Sequence, residues 1–448
     1  MALHPRFSME TRMTAQPGAG SVDFDVVVVG AGIAGTVAAH QLAKAGHEVL
    51  LVERGPVAGS KNLSGGVFYC RVMEAVFPGF VDRAPIERRI VRNCLSFLTP
   101  RAFVNVDYRD ERLADPVNAV TVLRARLDEW LAAQCEAAGV TVMPGMKVDA
   151  LLMDAGRVVG IRAGEDELRA HVVVAADGVN SFLCRDAGIR AKEPANHLAV
   201  GVKSVIGLPR GVIEDRFNLE GDEGAAYAVV GDCTDGVGGG GFLYTNRESV
   251  SVGVVARLDD LVRSGASSSD LHDRFLAHPA VRRLLAGGEP LEYGCHLVAE
   301  GGREMVHDLV RDGLVVVGDA AGLTLNTGLT VRGMDLAAGS ALAAARVVHA
   351  ALEKGDCSRA ALGAYPTELD RSFVGRDLRT YARAPRFLEN PRLYRDYGLM
   401  LADVMRGVFD LDTSPRKHLI ATARSAQRRS SVGLVRLIRD GISAARSL

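Results

Sequence analysis

The 448-residue sequence lacks the features that mark several common classes of protein. It has seven cysteines, and the closest two, Cys70 and Cys94, are 24 residues apart. This spacing excludes a local CxxC metal or iron–sulfur motif and argues against a disulfide framework, so a reducing cytoplasm is the expected compartment. No apolar run reaches the roughly 18–20 residues of a membrane span. A net charge of −1 argues against a nucleic-acid-binding protein.

The sequence does contain enough apolar material for a large packed fold. Hydrophobic residues make up 48% of the chain and charged residues 24%, and the length suggests two or three domains or one large α/β domain. Residues 1–22 contain two arginines and no apolar segment. They do not resemble a secretion signal, and we predict either a disordered leader there or a start codon assigned too far upstream.

A dinucleotide-binding motif follows this leader. Residues 24–29 read FDVVVV, the pattern of a buried parallel strand, and residues 30–35 read GAGIAG, a complete GxGxxG before a helical segment. Gly30 permits the tight turn, Gly32 lets the backbone approach a pyrophosphate, and Gly35 lets the helix pack closely on the strand. The N-terminus of that helix favours an anion.

An acidic residue ends the second predicted strand. Glu53 follows the apolar segment 48–52 and lies 18 residues after Gly35. A carboxylate at this position accepts hydrogen bonds from both ribose hydroxyls and repels a 2′-phosphate, which disfavours NADP.

Three later segments point to FAD rather than to NAD. They read TVLRARLDEWL at 121–131, VVVAADGVNS at 172–181 and LVVVGDAAG at 314–322, and they resemble the ordered FAD signatures of two-domain flavoprotein hydroxylases. In that pattern Asp319 holds the ribityl chain, and a helix directly after it points its N-terminus at the flavin. No second GxGxxG follows a strand, so we expect electrons to arrive from a bound substrate or a protein partner.

Longer blocks resemble one family, the electron-transfer-flavoprotein:quinone oxidoreductases (ETF-QO) and FixC proteins. The resemblance runs from Phe24 to the C-terminus. It is carried by GSKNLSGG, VGVK, VIEDRF, TDG, GGGFLYTN, GDAAG, NTG and VRGMD, which begin at residues 59, 200, 212, 234, 239, 318, 326 and 331.

The resemblance implies an α/β fold with non-covalent FAD. A discontinuous Rossmann-like FAD domain of the glutathione-reductase type is expected, with a mostly antiparallel β domain for substrate or quinone and a helical C-terminal region. The implied partners are the subunits of an electron-transfer flavoprotein (ETF) as donor and a quinone at the membrane face as acceptor. Mitochondrial-type members carry a four-cysteine iron–sulfur segment near the C-terminus, but this chain has only Cys357 after residue 300. The resemblance therefore implies a separate ferredoxin-like small subunit, and a variant that needs no cluster is the alternative.

The signatures and the resemblance give a set of candidate cofactor-binding residues. Lys61, or a backbone donor beside it, would stabilise reduced flavin, whereas a solvated turn is the alternative. Arg124 is placed at the pyrophosphate by the resemblance. Arg332 either adds positive potential or pairs with Asp335. The full set is Gly30, Gly32, Ile33, Ala34, Gly35, Glu53, Arg54, Lys61, Asn62, Gly65, Gly66, Arg124, Val148, Asp177, Gly178, Gly318, Asp319, Gly328, Arg332, Gly333 and Met334.

A glycine run at residues 238–241 is the candidate quinone site. By resemblance Gly239 and Gly240 contact the quinone headgroup, with Phe242 and Tyr244 near the pocket. The alternative is a glycine-rich bulge beside two core aromatic residues. No acid–base constellation and no metal-ligand spacing among the eleven histidines is found, so we predict neither a catalytic residue of that kind nor a metal site.

The segments combine into a predicted domain organisation, with the C-terminal region as a candidate membrane or partner contact. Residues 414–448 contain eight basic side chains and one acid between apolar residues. This pattern fits an amphipathic tail lying on anionic lipid, and equally a docked helix with a solvated basic face. The predicted boundaries are 1–22 for the leader, 23–95, 120–195 and 300–350 for the FAD domain, 96–119 and 196–299 for the substrate or quinone domain, and 351–448 for the helical region.

Other functions share the same FAD signatures. A stand-alone reductase, dehydrogenase or monooxygenase acting on a small molecule in specialised metabolism is the main alternative, and a scaffold subunit with a vestigial FAD site is another. The expected location is the cytoplasm, on the inner face of the cytoplasmic membrane if the tail binds lipid.

Overall fold

A computed structural model describes residues 22–62 and 65–448, so the predicted leader lies outside the described residues except for Val22. The strands are β1 Phe24–Val29, β2 Val49–Glu53, β3 Gly66–Phe68, β4 Ile86–Leu98, β5 Phe103–Arg109, β6 Val120–Val122, β7 Thr141–Pro144, β8 Ala150–Asp154, β9 Arg157–Ala163, β10 Asp166–Ala175, β11 Leu198–Gly207, β12 Glu223–Gly231, β13 Gly239–Thr245, β14 Ser249–Arg257, β15 Glu289–Ala299, β16 Val310–Arg311, β17 Leu314–Val316, β18 Leu325–Asn326 and β19 Val331–Arg332.

The helices alternate with these strands in the first half of the chain and dominate the last quarter. They are α1 Ile33–Lys44, α2 Arg71–Glu74, α3 Phe80–Arg83, α4 Arg124–Ala137, α5 Phe182–Asp186, α6 Arg210–Phe217, α7 Leu258–Ser264, α8 Ser268–Ala277, α9 Pro279–Leu285, α10 Met334–Glu353, α11 Arg359–Leu362, α12 Ala364–Arg371, α13 Phe373–Thr380, α14 Ala384–Leu388, α15 Arg392–Arg395, α16 Tyr397–Phe409, α17 Leu419–Arg429 and α18 Leu434–Ser447.

The first sheet has a parallel centre in the order β17-β10-β1-β2-β7, with β16 antiparallel at one edge. Strand β9 forms a hairpin with the strand that follows it, β10, and also pairs with β8. The valines of β1 at 26–28 are fully buried, and α1 packs against β1, β2 and β10. Burial on both faces explains why β1 reads as a continuous apolar run instead of an alternating pattern.

The second sheet is mostly antiparallel and has the order β15-β11-β14-β13-β12-β4-β6-β3, with β5 paired to β4. One parallel contact, β12 with β4, joins its two halves. Helix α8 packs against β11 and β14 and helps to enclose a second hydrophobic core, which includes Val252, Val254 and Phe275. The predicted fold class is therefore confirmed: a discontinuous Rossmann-like domain, an antiparallel sheet and a helical C-terminal region.

Two local details differ from the sequence-based expectation. Strands β3, β4 and β6 lie in the second sheet, although 23–95 and 120–195 were predicted as FAD-domain segments, and β4 crosses the boundary at residue 95. A helix was expected directly after Asp319, but only a short 3-10 turn follows, and α10 begins at Met334. The turn ends at Gly322 (φ +73°), where a Cβ would lie 2.4 Å from the Met305 carbonyl oxygen.

Helix α10 is the one described helix that is long and apolar enough to cross a membrane by length and composition. Of its apolar window, 72% is buried inside the fold. Its alanine-rich surface packs against α1 and α12. Such burial is what a core helix requires, and the apolar composition of α10 is explained by its place in the core.

Candidate functional site

A cavity of about 710 Å³ lies where the two sheets meet. The carboxyl ends of β1, β2, β10 and β17 form one wall, which is the position at which open parallel sheets bind ligands. Residues of β11, β13, β14 and β15 form the facing wall. The predicted site residues that line it are Gly30, Gly32, Ile33, Ala34, Glu53, Arg54, Lys61, Asn62, Gly65, Arg124, Val148, Asp177, Gly178, Phe242, Asp319, Arg332, Gly333 and Met334. Those that do not are Gly35, Gly66, Gly239, Gly240, Tyr244, Gly318 and Gly328.

The glycine turn between β1 and α1 forms an anion cradle. A Cβ at Gly35 would lie 1.8 Å from the Gly30 carbonyl oxygen, so only glycine permits this packing. Gly32 is the N-terminal flanking residue of α1, and no side chain caps this helix end. The backbone N–H groups of the first turn are thus left for a ligand, and the nearest atom to a Cβ at Gly32 would be the Arg124 guanidinium at 3.6 Å.

Glu53 fastens this turn from the neighbouring strand. One carboxylate oxygen accepts a hydrogen bond from the Ala31 N–H at 3.0 Å, and the other accepts from the Gly55 N–H at 2.7 Å. A carboxylate offers about four lone-pair positions, so two remain for ribose hydroxyls. The side chain lines the cavity, as the sequence predicts for the ribose acid.

Arg124 places a lasting positive charge beside Gly32. Its guanidinium donates two hydrogen bonds of 2.8 Å to Asp128, which also accepts one from Asn62. Burial alone would lower the pKa of Arg124, but Asp128 and then Asp319 outweigh burial and raise it. The arginine therefore stays charged where the pyrophosphate of a dinucleotide would lie.

Two carboxyl groups on the cavity wall have raised pKa values, and one of them has an oxygen without a hydrogen-bond partner among the described residues. Oδ1 of Asp177 has no hydrogen-bond partner among the described residues, and burial raises the pKa of Asp177 to about 6. Burial also raises the pKa of Asp319, against the opposing charges of Arg124 and Arg190. The unpartnered Asp177 oxygen on the cavity wall fits a ligand rich in hydroxyl groups, such as the ribityl and ribose parts of FAD.

Arg332 shows the pairing that the sequence offered as one of its two roles. Its guanidinium donates to Asp335 at 2.7 Å and to Asp377 at 2.5 Å. Its charge is thus compensated by two carboxylates at the N-terminus of α10 and on α13.

The glycine run of β13 is crowded by protein backbone. A Cβ at Gly239 (φ +139°) would lie 2.0 Å from the Val255 carbonyl oxygen, and one at Gly240 would lie 2.7 Å from the Val229 carbonyl oxygen. Phe242 reaches the cavity, and Tyr244 stacks on it with ring centroids 4.8 Å apart. Contact of these residues with a quinone stays a prediction.

Sequence reasoning did not select two cavity residues, Lys203 and His296. Lys203 lies within the VGVK block that carries the family resemblance, and it is absent from the predicted set of site residues. Its side chain is buried, and Nζ donates a 2.5 Å hydrogen bond to the Gly65 carbonyl oxygen. The sequence does contain a signal for Lys203. The segment LAVGVKSVIG is a mostly apolar strand, and a lysine inside such a strand is unusual in a chain that has only seven lysines.

Comparisons with known proteins agree with this geometry. The FAD binding domain family matches residues 23–217, and the ETF-QO/FixC family C-terminal domain matches residues 384–448. The probable electron transfer flavoprotein-quinone oxidoreductase YdiS of Escherichia coli K12 is 47% identical over 430 residues, 95% of this chain and 99% of that protein. Protein FixC of Salmonella typhi is 43% identical over 424 residues, 94% of this chain and 97% of that protein.

A solved structure shares the fold at lower identity. The geranylgeranyl bacteriochlorophyll reductase-like protein of Thermoplasma acidophilum has a TM-score of 0.66 at 21% identity, over 93% of this chain and 98% of that chain. This likeness shows the fold alone. The family matches identify FAD as the cofactor, and the cradle at Gly32, the acid Glu53 and the open acceptor on Asp177 fit it.

We predict that Glu53→Gln weakens FAD binding by roughly 10-fold to 100-fold, since hydrogen bonds to a charged group contribute about 1.5–3 kcal/mol. The dissociation constant is measured by titrating apoprotein with FAD and following the quenching of flavin fluorescence. The control is Glu48→Gln, an exposed acid before the same strand. An unchanged dissociation constant for Glu53→Gln would remove this residue from the cofactor site.

Proposed function

This chain belongs to the ETF-QO/FixC family, and on that premise we propose that it takes electrons from an electron-transfer flavoprotein and passes them to a quinone. Family membership makes it an FAD-dependent electron-transfer oxidoreductase. The observation that carries the finer proposal is the identity of 47% along almost the whole length of a probable ETF-quinone oxidoreductase. Relatives matched over both sheets and the C-terminal helices are expected to share donor and acceptor classes.

The described side chains suit a carrier of electrons better than an acid–base catalyst. FAD, when bound, supplies the group that takes up and releases electrons. The first turn of α1 and Arg124 would hold its pyrophosphate, and Glu53 would hold a ribose. The facing sheet lines the other side of the cavity with Lys203 and Phe242.

The C-terminal helices present a surface that fits a membrane. Helix α18 is docked through a polar residue, because Asp440 is buried and accepts hydrogen bonds of 2.6 and 2.8 Å from Arg392. Its apolar residues face outward, and those more than half exposed include Leu434, Val435 and Ile438. Helix α17 adds the exposed side chains of Leu419 and Ile420.

This surface is both apolar and basic, and we propose that it rests on the anionic inner face of the cytoplasmic membrane. Each basic residue near an anionic bilayer contributes about 1 kcal/mol, and residues 414–448 contain eight of them. Helix α18 is docked on the fold and still shows an apolar face, and contact of this face with lipid stays a prediction. A position on the membrane also gives access to an acceptor dissolved in lipid.

A ferredoxin-like small subunit completes the proposed set of partners. The described cysteines are all free, and Cys357, the only one after residue 300, is buried. A four-cysteine cluster segment is therefore not built from this chain's own C-terminal residues, which supports placing any cluster on a separate chain.

The proposed function predicts that purified holoprotein reduces a soluble quinone analogue when reduced ETF is supplied. Quinone absorbance is followed without oxygen, with apoprotein as the control. NAD(P)H alone should give no turnover, because no second dinucleotide motif is present. Oxidation of NAD(P)H by the isolated chain on addition of a small-molecule substrate, without ETF, would instead support the stand-alone enzyme.

The membrane proposal predicts that the holoprotein sediments with vesicles containing anionic phospholipid and that Val435→Glu/Ile438→Glu loses at least about tenfold in vesicle affinity, since burying each apolar side chain contributes about 1.5–3 kcal/mol. Leu291→Glu is the matched control, because Leu291 is equally exposed but lies on β15. Equal sedimentation of the double variant and wild type would contradict the proposal.

A further inference from the structure

We propose that Lys203 supplies the positive charge at the flavin-ring end of the cavity and thereby raises the reduction potential of bound FAD. The proposal rests on FAD binding and on the position of this lysine. It is independent of the proposed donor, acceptor and membrane surface.

The strand geometry gives Lys203 a glycine neighbour on each adjacent strand. It lies on β11 between β14 and β15, and the residues directly opposite are Gly253 and Gly294. Neither neighbour has a side chain that would cover the lysine. The side chain is 8% exposed, lines the cavity and ends at the Gly65 carbonyl oxygen.

The expected position of the flavin ring follows from the expected position of the adenine half of FAD. The cradle at Gly32 and the acid Glu53 hold the pyrophosphate and a ribose at the first sheet, so the adenine half lies toward Arg54 and Val148. The cavity then continues to the second sheet. The ring half of FAD has to occupy that end, where Lys203 stands.

Comparison of the cavity's cations singles out Lys203. The guanidinium groups of Arg124 and Arg332 are paired with carboxylates. Lys61 and Arg54 are exposed, so water and salt screen their charges. Lys203 is buried and its described hydrogen bond is to a neutral carbonyl group, so its charge acts on the cavity at low dielectric.

The charged groups around Lys203 make its protonation sensitive to a negative ligand. Burial and then Arg124 lower the pKa of Lys203 to about 7, while Glu292 opposes them. Burial, followed by Arg54, Arg124 and Lys203, lowers the pKa of His296, which favours the neutral form of this imidazole. Reduction adds negative charge to the flavin, and an adjacent ammonium stabilises that form over the oxidised one.

The test compares three variants of the holoprotein: Lys203→Met, Lys203→Arg and Lys61→Met. Lys203→Met is expected to weaken binding of reduced FAD relative to oxidised FAD at least tenfold, a fall of about 30 mV for a two-electron couple. Lys203→Arg keeps the charge and should stay near the wild-type potential. Lys61→Met removes a screened charge from the same cavity and should shift the potential less than Lys203→Met. The midpoint potential is read by anaerobic titration against a reference dye.

Two results would overturn the proposal. Lys203→Met with the wild-type potential shows that the charge is not felt by the flavin, even if oxidised FAD binds less tightly. Equal potential shifts in Lys203→Met and Lys203→Arg show that the lysine only tethers the loop at Gly65. Neither reading depends on turnover with ETF or quinone, so failure of the proposed function is distinguishable.

A second, independent cluster lies away from the cavity, and we infer that it binds a zinc-like divalent cation. His47 follows α1, while His349 and Glu353 stand four residues apart on the last turns of α10. His47 Nε2 and His349 Nδ1 are 2.8 Å apart, and the three ligand atoms all lie within 4.8 Å of one another. No metal spacing was found in the sequence because His47 and His349 are 302 residues apart.

The donor set and its surroundings fit zinc. Two imidazole nitrogens and a carboxylate are typical zinc ligands at about 2.0–2.2 Å, and three protein ligands leave a position for water. Nitrogens on one tetrahedral zinc are about 3.3 Å apart, so the imidazoles need to separate by about half an ångström. The Asp25 carboxylate lies 3.9 Å from His47 Nδ1, beyond hydrogen-bond distance, and adds negative charge beside the ligand atoms. Such an ion would link the C-terminal end of α10 to the segment that follows the C-terminal end of α1.

The test titrates chelator-treated holoprotein with Zn²⁺ by calorimetry. One zinc per chain at micromolar affinity or tighter is expected, with an unfolding temperature that rises with zinc concentration. His349→Ala should bind at least tenfold less tightly, and His418→Ala, at an exposed histidine, should bind like wild type. No stoichiometric binding, or equal affinity in His349→Ala, would overturn the inference.

Discussion

The structure depends on one close contact, the approach of α1 to β1 at Gly35. Here the helix lies so near the strand that a single methyl group would reach the Gly30 carbonyl oxygen at 1.8 Å. This contact aims the uncapped first turn of α1 at the end of the sheet. Glu53 then fixes the turn through the Ala31 N–H. The anion cradle, the ribose acid and the direction of the cavity all follow from it.

The two sheets provide opposite walls of the cavity that is expected to hold the flavin cofactor. The parallel sheet provides the cradle and the acids at strand ends, where polar groups converge by topology. The antiparallel sheet covers the opposite side with residues from strand interiors, among them Lys203 and Phe242. The cations at the cavity differ in consequence: Arg124 is charged and paired with Asp128, whereas the described hydrogen bond of Lys203 is to a neutral carbonyl group.

The sequence predicts the parts of the fold that are local. The β1-turn-α1 unit, Glu53 and the acids Asp177 and Asp319 can be predicted because neighbouring residues create them, and the structure brings them to one cavity. Long-range pairing is harder to predict. Strands β3, β4 and β6 join the second sheet through partners far along the chain, and the importance of Lys203 appears only when β11 faces the loop at Gly65. The outward apolar face of α18 likewise depends on a contact with a distant part of the chain, the ion pair between Asp440 and Arg392.

The central claim is that FAD spans both sheets, with its pyrophosphate at the glycine turn and its ring against Lys203. A crystal structure of the holoprotein tests this most directly. The account predicts density for the pyrophosphate at the N-terminus of α1 and for the isoalloxazine ring within contact distance of Lys203 Nζ or the Gly65 backbone. Ring density elsewhere, with the side chains of the second sheet closed over that end of the cavity, would contradict it.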